Sequence, residues 1–322
     1  MLRVVFTPED LARTTISATP HPLWETVLSL HRLRLRDDSA VFGEWRHTAV
    51  RKVPAVTRML TDLVPTRGYY ADFLTPTPIV SSLDEGISAL LSTTKTRLRT
   101  DVTTLASARR LPSWTADLGE GRPDTLRQLG HAVDRYFTDC LSSYWPQVRA
   151  AVDRERARQT ELLSGSGLGA LLEDVHPSAS WQYPVLEVDY PVERELHLRG
   201  RGLRLVPSFF CAGKPTTFLD DDFEPALAYP IRRKVGWSRT GDGQRPLAAL
   251  LGPTRARVLE AIGESPCTTS DLARRVATTL PTASRQTAIL RSAGLITTAR
   301  DGQSVVHSLT VQGQSLLADS TA

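Results

Sequence analysis

Residues 254–309 constrain this chain more tightly than any other stretch. Ala256, Val258, Leu259 and Ile262 fall at helical spacing. Ser270 is a candidate cap for a second helix, with Leu272, Ala273 and Val276 turned inward. Thr279 then stands as the N-cap of a third helix. Pro281 lies in its first turn, where a missing N–H matters little. Ala283, Thr287 and Leu290 follow an i, i+4, i+7 pattern and face a core. At about 100° per residue, Thr282, Arg285 and Ala288 point the other way and Gln286 lies at the flank. Gly294 occupies a C-cap glycine position. Leu295 and Ile296 open a strand and Ser304 to Leu309 form its return. Asp301-Gly302 supplies the positive φ angles of a tight hairpin turn. Three short helices followed by a hairpin predict a winged helix-turn-helix, which usually places one helix in the major groove of DNA.

Asp271-Leu272-Ala273-Arg274-Arg275, Thr282-Ala283-Ser284-Arg285-Gln286, Leu290-Arg291-Ser292-Ala293-Gly294-Leu295-Ile296 and Arg300-Asp301-Gly302 together resemble the ArsR/SmtB-like winged-helix regulators. Gln286 stands where that family frequently has His. The resemblance implies a dimer, with helices flanking the winged motif at the interface; here the flanks are Pro246 to Leu251 and Val311 to Ala318. Two further segments, PHPLWETVLSL at 21–31 and GRGLRLVPSFFC at 200–211, resemble the N-terminal domain that precedes an ArsR-like winged helix in actinobacterial regulators. That domain brings no known activity with it.

The chain has 322 residues, enough for a winged helix and a larger module, and its 41% hydrophobic and 23% charged content is that of an ordinary globular protein. The first residues, MLRVVFTPEDL, turn acidic at Glu9 and Asp10 without a signal-peptide apolar core, and no apolar run reaches membrane-span length. A cytoplasmic location is expected, with no membrane partner. From residue 246 onward seven arginines face five acids, a net of +2 within a whole-chain +4. The basic surplus is therefore not concentrated there, and the motif rather than the charge carries the nucleic-acid argument.

Residues 1–240 are expected to form an α+β domain, mostly helical with a small antiparallel sheet, followed by the winged helix over 246–322. Arg3 to Phe6 reads as a strand, and Thr7-Pro8-Glu9-Asp10 as a capped helix start. Pro22 to Arg34, Ala49 to Leu63 and Leu83 to Thr96 read as helices. So does a long stretch from Asp124 to Leu163, divided at Pro146, whose part from Arg149 to Arg158 reads as a solvated face. Val185 to Tyr190, Arg194 to Leu198, Leu203 to Phe210 and Ala226 to Ile231 read as strands, and 232–246 as a linker.

Several chemical constellations are refused. A thiolate metal site of the Cys-x-Cys kind needs two thiolates two residues apart, and the segment before the third helix holds Cys267 alone. The seven histidines are scattered, and His307 on the wing is expected to be exposed or next to a phosphate. Gly165-Ser166-Gly167-Leu168-Gly169-Ala170 follows a charged helix rather than a strand, so it reads as a helix break and not as a dinucleotide loop. Ser92-Thr93-Thr94-Lys95 lacks companion motifs, and Asp220-Asp221-Asp222 reads as a solvated turn.

The expected function is a dimeric, sequence-specific DNA-binding transcriptional repressor that uses no cofactor and no metal. The alternative is an assembly module whose winged helix binds no DNA. The expected DNA contacts are Thr279, Thr282, Ser284, Arg285, Gln286, Arg291, Arg300 and Gln303. Enzymatic activity is not expected. Trp24, Trp114, Trp145, Trp181, Tyr183, Phe209 and Phe210 can fill a core or line an apolar cavity between the helices and the 185–231 sheet, where a small-molecule effector would bind.

Overall fold

A computed structural model describes the chain except at residues 77–79, 81, 221, 234, 239–245, 265, 277, 302–303 and 322. It divides into two compact units, Met1–Thr240 and Gly241–Ala322. The protein is α+β, and its C-terminal unit is a winged helix-turn-helix.

The first unit begins with β1 (Leu2–Val5), α1 (Pro8–Arg13) and β2 (Thr15–Ile16). Helices α2 (Pro22–Arg34), α3 (Ser39–Val50), α4 (Arg58–Leu63), α5 (Leu83–Leu91), α6 (Lys95–Ala108), α7 (Trp114–Gly119), α8 (Pro123–Cys140) and α9 (Trp145–Asp174) follow. Strands β3 (Ser180–Gln182), β4 (Val185–Val188), β5 (Arg194–His197), β6 (Arg204–Ser208), β7 (Thr216–Thr217) and β8 (Ala226–Pro230) complete it. The capped start at Thr7 is present: Thr7 and Asp10 bond each other's backbone N–H in a capping box. The 49–63 segment is not one helix, because the chain passes through Pro54 and a short 3₁₀ turn between α3 and α4. Pro146 sits in the first turn of α9 rather than breaking a helix, and the break falls just before it. Gly167, at φ 80°, interrupts α9 where the glycine-rich segment reads as a helix break.

The single antiparallel sheet is corrected. Among its described residues the first unit has two four-stranded mixed sheets, ordered β3-β4-β1-β5 and β2-β6-β8-β7. β1 pairs antiparallel with β4 and parallel with β5, and β6 runs parallel to both β2 and β8. Alternation of side chains reveals a strand but not its neighbour, so the entry of β1 and β2 from the opposite end of the sequence was not readable.

The core is aromatic. Phe42, Trp45, Phe209 and Phe210 are fully buried and interlock, with the Trp237 ring 4.5 Å from Phe209 and the Phe210 ring 4.8 Å from Trp45. Segment 232–246 is therefore not all linker: Trp237 packs against this core, and half-buried Arg233 donates from Nε to Phe209 O at 2.7 Å. Residues 239–245 lie outside the described residues. Trp24, Phe209 and Phe210 are core residues; Trp114, Trp145 and Trp181 pack against it half-buried, and Tyr183 is exposed.

Buried carboxylates tie strand ends to helices. Glu25 on α2 accepts hydrogen bonds from Ser208 Oγ (3.1 Å), Phe209 N (2.7 Å) and Phe210 N (2.8 Å) at the end of β6. Burial nonetheless pushes its carboxyl up to about 7. Asp72 holds the Leu219 and Asp220 amides, and burial lifts it as well, to about 7. The charged stretch 149–158 is not wholly solvated: Glu155 is buried and Arg158 bridges it to Asp174. Those three side chains, with His176, Ile231 and Arg232, line a cleft of about 430 Å³ between α9 and the end of β8. The cleft lies where an apolar cavity was expected, and charged side chains share its wall with Val175, Pro177, Pro230 and Ile231.

The second unit comprises α10 (Pro246–Leu251), α11 (Pro253–Glu264), β9 (Cys267–Thr268), α12 (Thr269–Arg275), α13 (Leu280–Ser292), β10 (Ile296–Asp301), β11 (Ser304–Leu309) and α14 (Val311–Thr321). β10 and β11 form the wing hairpin, and β9 pairs antiparallel with β11 to make a three-stranded sheet. Val258, Leu259, Ile262, Leu272, Ala283, Leu290 and Ile296 build its core. α14 lies so close to the start of the wing that a Cβ on Gly313 would come within 2.0 Å of Leu295 O, a contact only glycine permits.

Candidate nucleic-acid interface

Local chemistry fixes where each helix of the second unit begins. The cap of α12 is Thr268, not Ser270. Thr268 Oγ1 accepts from Asp271 N at 3.2 Å while Asp271 Oδ2 accepts from Thr268 N at 3.2 Å, closing a capping box. Asp three residues beyond a Thr was the sequence signal for it. Thr279 caps α13: its Oγ1 accepts from Thr282 N at 3.4 Å and donates to Thr282 Oγ1 at 2.9 Å. Pro281 stands in the first turn of α13, and Gly294, at φ 71°, follows its C-cap Ala293. Only a residue free of Cβ strain takes that left-handed turn cheaply, and the chain uses it to swing into β10.

α13 buries Ala283, Gln286, Thr287 and Leu290. Ser284, Arg285 and Ala288 are exposed and Thr282 is half-buried, so the polar face assigned to reading does face solvent. Thr279 is exposed at the helix start. Arg291 is also exposed, in the last turn of α13. Arg300 is exposed on β10 opposite Val305. Asp301 pairs with Ser304, and Gly302 and Gln303 lie outside the described residues.

Two placements differ from the sequence reading. Gln286 is 8% exposed, not at an open flank, and its Oε1 accepts from Arg255 Nε at 3.0 Å. An uncharged amide can be buried when its oxygen is satisfied, and helical spacing alone does not show whether a neighbouring helix covers a flank. His307 is 4% exposed and not a phosphate neighbour. Its two ring nitrogens face Thr269 Oγ1 at 3.0 Å and Thr298 Oγ1 at 3.1 Å. Burial, and then the charge of Arg291, hold its imidazole below the ordinary range. It bridges α12 and the wing.

A family model described as a helix-turn-helix domain matches residues 250–299. This unit is a helix-turn-helix. Neither the curated proteins nor the solved structures give a match to the chain. The matched stretch covers α11 to α13 and most of β10, the elements that position the exposed face of α13. A helix-turn-helix of this kind is the DNA-binding module of transcriptional regulators. No helix among the described residues is long and apolar enough to cross a membrane.

The three cysteines are free and buried. Cys267 sits on β9, its backbone paired with His307, and burial pushes its thiol up. Among the described residues no group of three or more His, Cys, Asp or Glu is placed to share an ion. A residue that sequence reasoning missed is Arg255, brought to α13 by its contact with Gln286. Only helical phase on α11, read against α13, could have pointed to it.

Proposed function

We propose that this chain is a cytoplasmic, sequence-specific DNA-binding transcriptional repressor of the ArsR/SmtB-like kind, acting as a homodimer on a double-stranded operator. One observation carries the reading. The face of α13 that holds Ser284, Arg285 and Ala288 is polar, small and open, and Arg285 has no ion-pair partner among the described residues. Arg285 can give two parallel hydrogen bonds to guanine O6 and N7, with Thr282 and Ser284 in the same groove. Arg300 on the wing and Arg291 beside it meet phosphate.

Dimerisation is supported by the flanking helices. α10 and α14 pack against α11, and Leu250 on α10 and Val311 on α14 are 69% and 80% exposed. Apolar side chains left open on adjacent helices favour a like partner. The N-terminal unit serves as the input module, and its cleft, lined by both charged and apolar side chains, suits a small effector with polar and apolar parts. Cofactor, catalytic step and Cys-box metal sensing have no part in this reading.

The second reading is an assembly module without DNA. It is favoured by Leu280, 51% exposed in the first turn of α13. Selection from a random duplex library separates the two. Enrichment of a motif with two related half-sites supports the dimeric DNA reader, and recovery of unselected sequences with no salt-dependent binding supports the assembly module.

A further inference from the structure

Gln286 sits on α13 next to Arg285, yet its carboxamide turns inward and holds Arg255 of α11. Arg255 is half-buried, and among the described residues it makes no ion pair and no second hydrogen bond. Its guanidinium is thus fixed through Nε while both Nη groups are unspent. A guanidinium held at Nε presents its two Nη donors as a preset fork, the geometry that matches a phosphate.

The position of that fork follows from helical phase. At about 100° per residue, Gln286 lies on a flank of α13, between the buried side and the face that holds Thr282 and Arg285. By the same phase Arg291 lies on the opposite flank. An α-helix about 10–12 Å across nearly fills a major groove about 12 Å wide, so the flanks of an inserted helix run beside the two phosphate ridges. A cation fixed on a flank meets a ridge and not a base.

We infer that Arg255 is a DNA-phosphate contact of this chain, and that Gln286 is its positioning residue rather than a reader of bases. This rests on the reading of α13 as the groove helix. Gln286 stands at the point of the helix where a base-reading side chain would be natural; the structure assigns it instead to aligning a backbone clamp contributed by another helix. Phosphate contacts set register and orientation and carry no sequence information.

The test is a titration of the full chain against its own selected duplex and single-base variants over a range of salt. Arg255→Ala weakens binding to all duplexes alike, by about tenfold, and lowers the salt slope by about one unit. Gln286→Ala weakens binding less and leaves base preference unchanged. The double variant binds no worse than Arg255→Ala, because the amide acts only through the guanidinium. Arg255→Lys keeps the charge and most of the slope but cannot use the amide in the same way, so adding Gln286→Ala to it has little further effect. This pair of variants serves where Arg255→Ala fails to fold. An unchanged slope in Arg255→Ala, or additive losses in the double variant, overturns the inference while the DNA reading stands. A changed base preference in Gln286→Ala does the same. Absence of salt-dependent binding by the unaltered chain removes the DNA reading itself.

Discussion

The two units use opposite strategies to become specific structures. In the winged unit neighbours in space are close in sequence. The wing pairs Ile296 with Leu309, Thr268 caps the helix that begins one residue later, and Gly294 turns α13 straight into β10. In the N-terminal unit each of the two sheets joins strands from the two ends of the unit. Leu2 pairs with Val188 and with Arg194, and Thr15 with Arg204. Local pairing leaves signatures in a window of a dozen residues, whereas distant pairing must meet its loop-closure entropy before any contact offsets it. The difference also separates their charges. The winged unit keeps Arg257, Arg285, Arg291 and Arg300 exposed, while the N-terminal unit buries Glu25, Asp72 and Asp101 and satisfies them with backbone amides.

The largest test of this contrast is Trp45→Ala. The ring is fully buried against Phe42 and Phe210, and its Nε1 donates to Cys140 O at 3.1 Å. Its loss should cost about 3–5 kcal/mol. In denaturant titration the N-terminal transition should move to lower concentration and the winged-unit transition should stay. A common shift of both would show that the two units are not separate cooperative bodies.

The buried carboxylates predict a pH dependence of the N-terminal unit's stability. Glu25 has its folded pKa raised to about 7 from the ordinary 4.5. Between those values the folded state keeps a proton that the unfolded state releases, so stability falls as pH rises through the window, by at most about 1.4 kcal/mol per pH unit for one group. Burial shifts Asp72 and Asp101 in the same direction, to about 7 and about 6. Glu25→Gln should flatten the slope by one group's share. An unaltered pH profile in that variant would mean that Glu25 stays ionised in the fold.

The winged unit should respond instead to its caps. Thr268→Ala removes one side of the capping box and should cost about 1 kcal/mol, read as a lower midpoint of the second transition. Smaller still is Arg300→Ala, expected to weaken binding to all duplexes alike and to lower the salt slope by about one unit. A change of base preference in that variant would make the wing a reader of sequence.

How far the sequence could be read follows the same division. The order of α11 to α13 and the wing was legible, because Thr, Pro and Gly punctuate each element and Ala283, Thr287 and Leu290 mark one buried stripe. The inward turn of Gln286 and of His307 was not, since each depends on a neighbour from another element: Arg255 for one, Thr269 and Thr298 for the other. In the N-terminal unit, α2 was legible from Leu23, Val27 and Leu30. The two sheets were not, because strand alternation is silent about partners and β2 and β7 are two residues long. Trp237 was missed because it lies in a polar, glycine-bearing segment that reads as linker.

The central claim is that the open face of α13 reads bases while its flanks hold the backbone. Its most direct measurement is a titration of the chain and of Arg285→Ala against the selected duplex and every single-base variant. The account predicts that Arg285→Ala loses about 1–3 kcal/mol on the selected duplex and loses discrimination at one base pair, with the other positions still read. Equal affinity and the same preference at every position for both proteins would contradict it.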